Sequence, residues 1–341
     1  SIAPQGQDIR FQEDRIESGK NLCNKLWNAC RFRQMSGEAG DNSSLAAIIE
    51  RLDAARFDAD DHAILDRMLA TTREVNRCFY EFEFSAAVQA LYGFFWNDFC
   101  DWYVEVSKSK LQDPTTKANC LTIQDLVLRQ TLLLLHPFIP FITEELWHQL
   151  GYGQEGRFIE DARLENASQI ATTSQARGLT LDLAAVARIE CFKQFVFAVR
   201  QLKVSAGVAS RRDVTVQMCF GDFRSPIEFA AVELNRYLGL AKVERFRLGT
   251  EPAPEGSPAA VTPLGTIYLV LPAAADSASE RMRLNKELEQ ITKHIAGTEA
   301  RLSNQAFVSK APPAVLEGAR KQLAEQQAKR TELERLLAAL K

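Results

Sequence analysis

The 341 residues are 46% hydrophobic and 25% charged, the balance of a soluble globular protein with room for about two domains. A net charge of −3 excludes a chain that is basic throughout, so any nucleic-acid binding must rest on local patches. The longest apolar run, Thr131 to Ile142, is broken by His136, Pro137 and Pro140 and falls short of the ~20 residues that span a bilayer.

Residues 1–10 form a lead-in with Pro4 and Gly6. Asp8 to Met35 predicts the first helix, with Ile16, Leu22, Leu26 and Ala29 toward a core. Arg15, Lys20, Lys25, Arg31 and Arg33 then stay outside. A polar loop, Ser36 to Ser44, follows. Asp60 begins a second long helix with Ile64, Met68, Val75 and Phe79 on one stripe. Phe84 to Lys110 carries Phe84, Val88, Leu91, Phe95, Trp102 and Val106 at helical spacing. Tyr92, Phe94, Trp96, Phe99 and Tyr103 make its other faces apolar. A helix apolar nearly all round is covered on several sides, which makes this stretch the central post of a bundle. Gly93 within it marks close packing or a local loss of stability. The basic end of the post should leave the core.

After a loop at Asp113 to Thr115, Leu121 to Leu135 predicts a buried helix. Pro137 and Pro140 restart the chain into a last bundle helix, which Gly151 and Gly153 stop. Residues 151–180 read as loop with a short apolar element at Arg157 to Ile159. Then come a helix over Leu181–Lys203, a strand over Val214–Phe220, a helix over Pro226–Leu238, and strands over Lys242–Leu248 and Gly265–Leu271. A Pro/Ala/Gly-rich loop separates the last two strands. From Ala278, Leu284, Leu288, Ile291, Ile295 and Leu302 follow heptad spacing. Leu316, Leu323, Leu333, Leu337 and Leu340 resume it after a break at Ser303 to Pro313. That pattern predicts an antiparallel helical hairpin whose limbs reach roughly 35–40 Å at about 1.5 Å per residue. Gln326 and Arg330 interrupt its seam. The fold class is therefore mainly α: a helical bundle over residues 1–155, a small α+β module over 156–275, and a hairpin arm over 276–341.

Chemistry is sparse. The seven cysteines, Cys23, Cys30, Cys78, Cys100, Cys120, Cys191 and Cys219, form no CxxC pair, so no metal site is expected. Reduced thiols suit a cytoplasmic protein. There is no signal peptide, and the start at Ser1 rather than Met fits a piece of something longer. His62, His136, His148 and His294 lack metal-binding spacing. No phosphate loop or nucleophile motif is present, so no catalytic residue is assigned. From Asp276 onward, 12 Lys/Arg stand against 9 Asp/Glu, a net +3, which leaves −6 for the rest. A basic hairpin on an acidic body either meets a polyanion or merely stays solvated. On the first helix, Lys25, Arg31 and Phe32 have the cation-plus-ring character of a single-stranded RNA surface, although Phe32 is equally suited to the core. Glu105 can accept from the exocyclic amine of cytosine, or be an ordinary solvated helix charge.

The segments NLCNKLWNACRF, FSAAVQALYGFFWNDFCDWYVEVSKSKL and LLLLHPFIPFITEELWHQL resemble, in that order, the anticodon-binding bundle of class I aminoacyl-tRNA synthetases for branched aliphatic amino acids. FVFAVRQLKVSAGV resembles the linking module of the valyl-tRNA synthetase family. The hairpin, with its LSNQAFVSKAP turn, resembles that family's C-terminal tRNA-binding arm. The isoleucyl family is the alternative, but its cysteine-rich zinc tail is absent and it lacks this arm. A coiled-coil adaptor that docks a protein is the alternative from another class. GQDIRF resembles the stretch just after the family's KMSKS signature, and neither KMSKS nor HIGH occurs. The resemblance implies a monomeric, cytoplasmic tRNA-recognition part with no membrane contact. Its partner would be valine tRNA. Valine, ATP and magnesium would act only in a catalytic domain absent from this chain, which itself would hold no cofactor. It further implies anticodon contacts at Lys25, Arg31, Phe32, Val104 and Glu105, with Phe32 stacking on a base and Glu105 taking the cytosine amine. Lys293, Arg301 and Lys310 would touch the outer corner of the tRNA. Arg33, where the family usually has an apolar residue, departs from the pattern.

Overall fold

Aspartates open three of the long helices. The computed structural model describes residues 13–38, 40, 43–162, 164–219, 234, 236–249, 257–271 and 277–303, with separate positions between 318 and 337. Helix α1 (Glu13–Ser36) and the short α2 (Leu45–Glu50) come first. Asp58 caps α3 (Ala59–Tyr80) in a reciprocal box with Asp61, 3.1 Å each way. Such caps contribute about 1 kcal/mol. Asp113 accepts from the Thr115 N–H at 2.8 Å, and Pro114 takes the first helical position, where its missing donor costs nothing. The sixth helix therefore begins seven residues earlier than the apolar pattern alone predicts.

The post is one rod in three parts: α4 (Phe84–Gly93), a π-helical segment (Phe94–Tyr103) and α5 (Val104–Lys110). In the π segment Phe94, Phe95, Asp98, Phe99, Cys100, Trp102 and Tyr103 are all buried, more than an α-turn could turn inward. A side chain at Gly93 would meet open space, so close packing does not explain this glycine. Two expectations for the rod hold only in part. Tyr92 is exposed, and at the basic end Glu105, Lys108 and Ser109 leave the core while Lys110 stays only 7% exposed. Helix α3 packs against α4, the π segment and the later helices Pro114–Leu135, Ala167–Ala176 and Leu183–Ser205.

Helix α6 (Pro114–Leu135) ends at His136, whose Nδ1 lies 2.8 Å from the Thr143 hydroxyl. Pro140 opens α7 (Pro140–Gln149), and Gly151 follows at φ 81°, a conformation glycine adopts without strain. Residues 151–180 are not all loop. A 3₁₀ turn (Ile159–Asp161) is followed by α8 (Ala167–Ala176), boxed by Asn166 and Gln169. Asp182 caps α9 (Leu183–Ser205).

The strands are β1 (Thr215–Cys219), β2 (Arg245–Gly249), β3 (Ala259–Thr262) and β4 (Gly265–Val270), in sheet order β2-β1-β4-β3. Strand β3 lies in the stretch expected to be loop. It pairs antiparallel with β4, Ala260 opposite Ile267, and α9 packs against it. Of the helix expected over Pro226–Leu238, only Leu234 and residues 236–238 are described.

Residues up to Arg212 together with Val216–Leu269 form one compact unit; Asp213–Thr215 with Val270–Lys341 form another. In the second, α10 (Ser277–Ser303) buries Ile295. The Thr298 hydroxyl donates to Gln326 at 3.2 Å and Gln327 donates to Glu299 at 3.3 Å, so a polar seam position is satisfied by a hydrogen bond. The lead-in 1–10, the turn beyond Ser303 up to 313 and most of the second limb lie outside the described residues.

Candidate nucleic-acid interface

Helix α1 buries Leu22, Leu26, Ala29 and Cys30, which turns Arg31 outward and leaves Lys25 half-buried. Lys25 is a brace rather than a free cation. Its ammonium pairs with Asp101 and lies 4.1 Å from the Trp96 ring centroid, an arrangement worth roughly 0.5–2 kcal/mol. Trp96 in turn stacks on Tyr92, with centroids 5.3 Å apart and planes 15° apart. Tyr92 is exposed and Trp96 half-buried, so an aromatic pair lies beside a lysine on the outer face of the post.

Arg31 is exposed and forms no ion pair among the described residues; Phe32 is half-buried. Both lie toward the α6–α7 end of α1, where Gln34 donates to the Gln149 carbonyl at 2.7 Å. Arg33 corrects the expectation that it stays outside. It is 3% exposed, donates to Asp125 at 2.6 Å and reaches the Glu38 carbonyl at 2.9 Å. Asp125 also accepts from the Tyr152 hydroxyl at 2.7 Å.

Val104 and Glu105 follow the π segment directly. A wider turn delays the next residue around the axis, by about 100° for each residue it absorbs. Val104 is half-buried. Glu105 points out, and its two oxygens hold Lys108 at 2.7 and 2.8 Å. Glu105, with Val106 and Lys108 but not Val104, lines an open groove of about 700 Å³. Its charged lining is Asp101, Glu105 and Lys108 from the post, and Arg200, Arg212, Arg236 and Lys242 from α9 and the segments after it. Five cations thus surround two carboxylates. Asp101 connects this groove to Lys25, so Lys25 and Glu105 belong to one surface.

Sequence reasoning missed the Tyr92–Trp96 pair and the cations of the far groove wall. The only local hint was the Arg211–Arg212 pair after a Gly/Ser-rich turn. On α10, Lys293 is exposed and donates to Glu289 at 2.7 Å, a bond that holds the Glu289 carboxyl below its ordinary range. The backbone of Arg301 lies in the last turn of the same helix; its side chain, and all of Lys310, lie outside the described residues. No group of three His, Cys, Asp or Glu suited to a metal ion occurs among the described residues, and no described helix is long and apolar enough to cross a membrane.

Two family models match the chain. One describes the anticodon-binding domain of tRNA ligase and covers residues 61–218; the other describes the valyl tRNA synthetase tRNA-binding arm and covers residues 276–341. Among similar curated proteins, a valine–tRNA ligase of Xylella fastidiosa (strain M23) is 35% identical over 95% of this chain and 33% of its own length. One from Dechloromonas aromatica is 31% identical over 100% of this chain and 35% of its own. One from Syntrophotalea carbinolica is 31% identical over 96% and 35%. The chain spans about a third of the length of these relatives.

Proposed function

We propose, for a chain that belongs to the valine–tRNA ligase family in its C-terminal, tRNA-binding part, that its role is to read the anticodon of valine tRNA and grip the outside of the folded tRNA. In this reading Glu105 accepts from the amine of the last anticodon base, a cytosine, and Val104 packs beside it. Lys25 steadies the post while Tyr92 and Trp96 offer a ring face. Arg31 and Phe32 take neighbouring phosphate and base. Lys293, Arg301 and Lys310 of the arm meet the tRNA corner. The protein is cytoplasmic and monomeric, and no membrane is involved.

The observation that carries this reading is the position of Glu105: an exposed carboxylate on the wall of a groove lined mainly by cations. A carboxylate there repels a phosphate but suits a base amine, and the cations around it suit the strand that carries the base. Joining valine to tRNA at the expense of ATP, with magnesium, belongs to catalytic residues outside this chain. Its own contribution is orientation: holding one end of the tRNA fixes where the other end is presented.

A direct test is a mobility titration of the chain with valine tRNA and with a transcript changed at the last anticodon letter, at low and moderate salt. The cognate transcript should bind more tightly. Glu105→Ala should reduce that preference by about 1–3 kcal/mol. Equal affinity for both transcripts in wild type and variant would remove the anticodon reading. Binding indifferent to salt would instead favour a protein-docking adaptor.

A further inference from the structure

Across the groove from Glu105, two loops are tied together by one buried lysine. Lys203 of α9 is 1% exposed. Its ammonium donates to the carbonyls of Arg211 at 2.5 Å, Lys242 at 2.7 Å and Ala241 at 3.2 Å. The Arg212 carbonyl also accepts from the Glu244 N–H at 3.1 Å. The segments around 211–212 and 241–244 are thereby fixed against each other. Lys242 sits at φ 53°, in the left-handed region that a lysine seldom occupies. Strain of this kind persists only where the surroundings hold it, and it gathers at ligand clamps.

The four cations of this wall are not equivalent. Arg200 donates to the Leu240 carbonyl at 2.8 and 3.1 Å, and Arg236 pairs with Asp58 at 2.9 Å. Both are committed to the fold. Arg212 and Lys242 are exposed, and neither side chain forms a hydrogen bond or ion pair with a described residue. A buried ammonium and a strained backbone therefore present two uncommitted cations to the groove that holds Glu105.

We infer that Arg212 and Lys242 form a phosphodiester clamp, with Lys203 as its positioning residue, for the backbone of the RNA strand whose base meets Glu105. This rests on the anticodon reading for the identity of the strand. The division of labour follows from charge. The carboxylate wall meets a base amine and specifies; the cation wall meets phosphates and holds register without reading sequence.

The test uses the whole chain with valine tRNA and the last-letter variant, titrated from 50 to 200 mM salt. Arg212→Gln and Lys242→Gln should each lose affinity several-fold for both transcripts alike. Each should also make the salt dependence shallower by about 0.7–0.9 in log–log slope, the share of one phosphate contact. Lys242→Gly separates binding from folding: glycine fits φ 53°, so its unfolding midpoint should hold or rise while RNA affinity falls. If wild type prefers its cognate but these variants keep its affinity and slope, the clamp is wrong and the anticodon reading stands. If wild type shows no preference yet the variants lose slope, the clamp stands and the anticodon reading is wrong. No binding by wild type overturns both.

Discussion

Trp102 and Tyr237 stack ring on ring, with centroids 5.0 Å apart, and each donates to a different oxygen of Asp60. The indole N–H reaches Oδ1 at 2.8 Å and the phenol O–H reaches Oδ2 at 3.0 Å. Trp102 comes from the post, Asp60 from the first turn of α3, and Tyr237 from the segment that leads to the groove wall. One buried carboxylate therefore joins the Glu105 side of the groove to the Lys242 side. Burial pushes the Asp60 carboxyl above the ordinary 3.8, and the neighbouring Asp58 charge adds to the push.

Asp60→Ala should cost about 2–5 kcal/mol, because two buried donors lose their acceptor. Asp60→Asn keeps one acceptor of the same shape and should cost about 1 kcal/mol or less at pH 7. The pH dependence has a definite sign. A carboxyl with a raised folded pKa binds more protons folded than unfolded, so its contribution falls as pH rises above 3.8 and recovers on acidification. Wild type should gain on Asp60→Asn as pH drops from 7 toward 4. Urea unfolding of both at pH 7 and 4.5 measures this; a gap that widens in favour of the asparagine variant on acidification would contradict it.

Lys110 offers a second test. Its ammonium lies 2.6 Å from Asp58 and 2.6 Å from Asp61, at the end of the post. Burial works against its charge, but Asp61 and then Asp58 outweigh burial and raise its pKa above 10.5. Lys110→Met should cost about 3–5 kcal/mol at pH 7, because Asp61 keeps only neutral donors, the Tyr103 hydroxyl at 2.7 Å and the Asp58 N–H at 3.1 Å. Lys110→Met with Asp61→Asn should recover part of that loss. The single-variant loss should also shrink near pH 4, where the abandoned carboxylates take up protons. Equal losses at both pH values would show that packing of the lysine stem, not its charge, stabilises this end.

These two sites show where sequence was legible and where it was not. The 84–110 rod, the restart at Pro140 and three of the strands could be read because periodicity and proline chemistry are local. Lys110, Arg33 and Lys203 could not, since a charge in isolation belongs in water. Asp58 and Asp61 for Lys110, Asp125 for Arg33 and three loop carbonyls for Lys203 make their burial tolerable, and most of these partners are far away in sequence. The π turn was hidden for a related reason: helical spacing assumes 3.6 residues per turn, and the aromatics between Phe94 and Tyr103 fit a wider one. At the groove, Glu105 stands out as a carboxylate near the end of a basic helix. Its partners across the groove are 95 to 137 residues later, so no local pattern announces them.

Thiol chemistry tests the packing of the bundle. Six cysteines among the described residues are free. Burial pushes Cys100 up to about 12 and Cys120 up to about 11, and it pushes Cys30 higher still with Cys100 beside it. Cys23 and Cys191 are half-buried. At pH 8, iodoacetamide should label Cys23 and Cys191 in the native chain and spare Cys30, Cys100 and Cys120 until urea is added. Peptide mapping by mass spectrometry reads this directly. Early labelling of Cys100 would mean that the π segment opens readily.

The arm should act differently from the bundle. Its one described, exposed candidate, Lys293, is spaced to pair with Glu289 on the same helix, so its charge is shared rather than aimed at a base. Contacts of this type add affinity and salt dependence without selecting an anticodon. Removing residues 276–341 should therefore weaken binding of valine tRNA and of the last-letter variant by the same factor, leaving their ratio unchanged. Lys293→Glu in the full chain should shift both affinities in the same direction by a smaller amount, because it reverses one charge and leaves the helix intact. The same titration over salt should show a shallower slope for the truncated chain. A changed cognate ratio on truncation would mean that the arm sets how the anticodon meets Glu105. An unchanged affinity and slope would leave the whole of the RNA contact to the bundle and its groove.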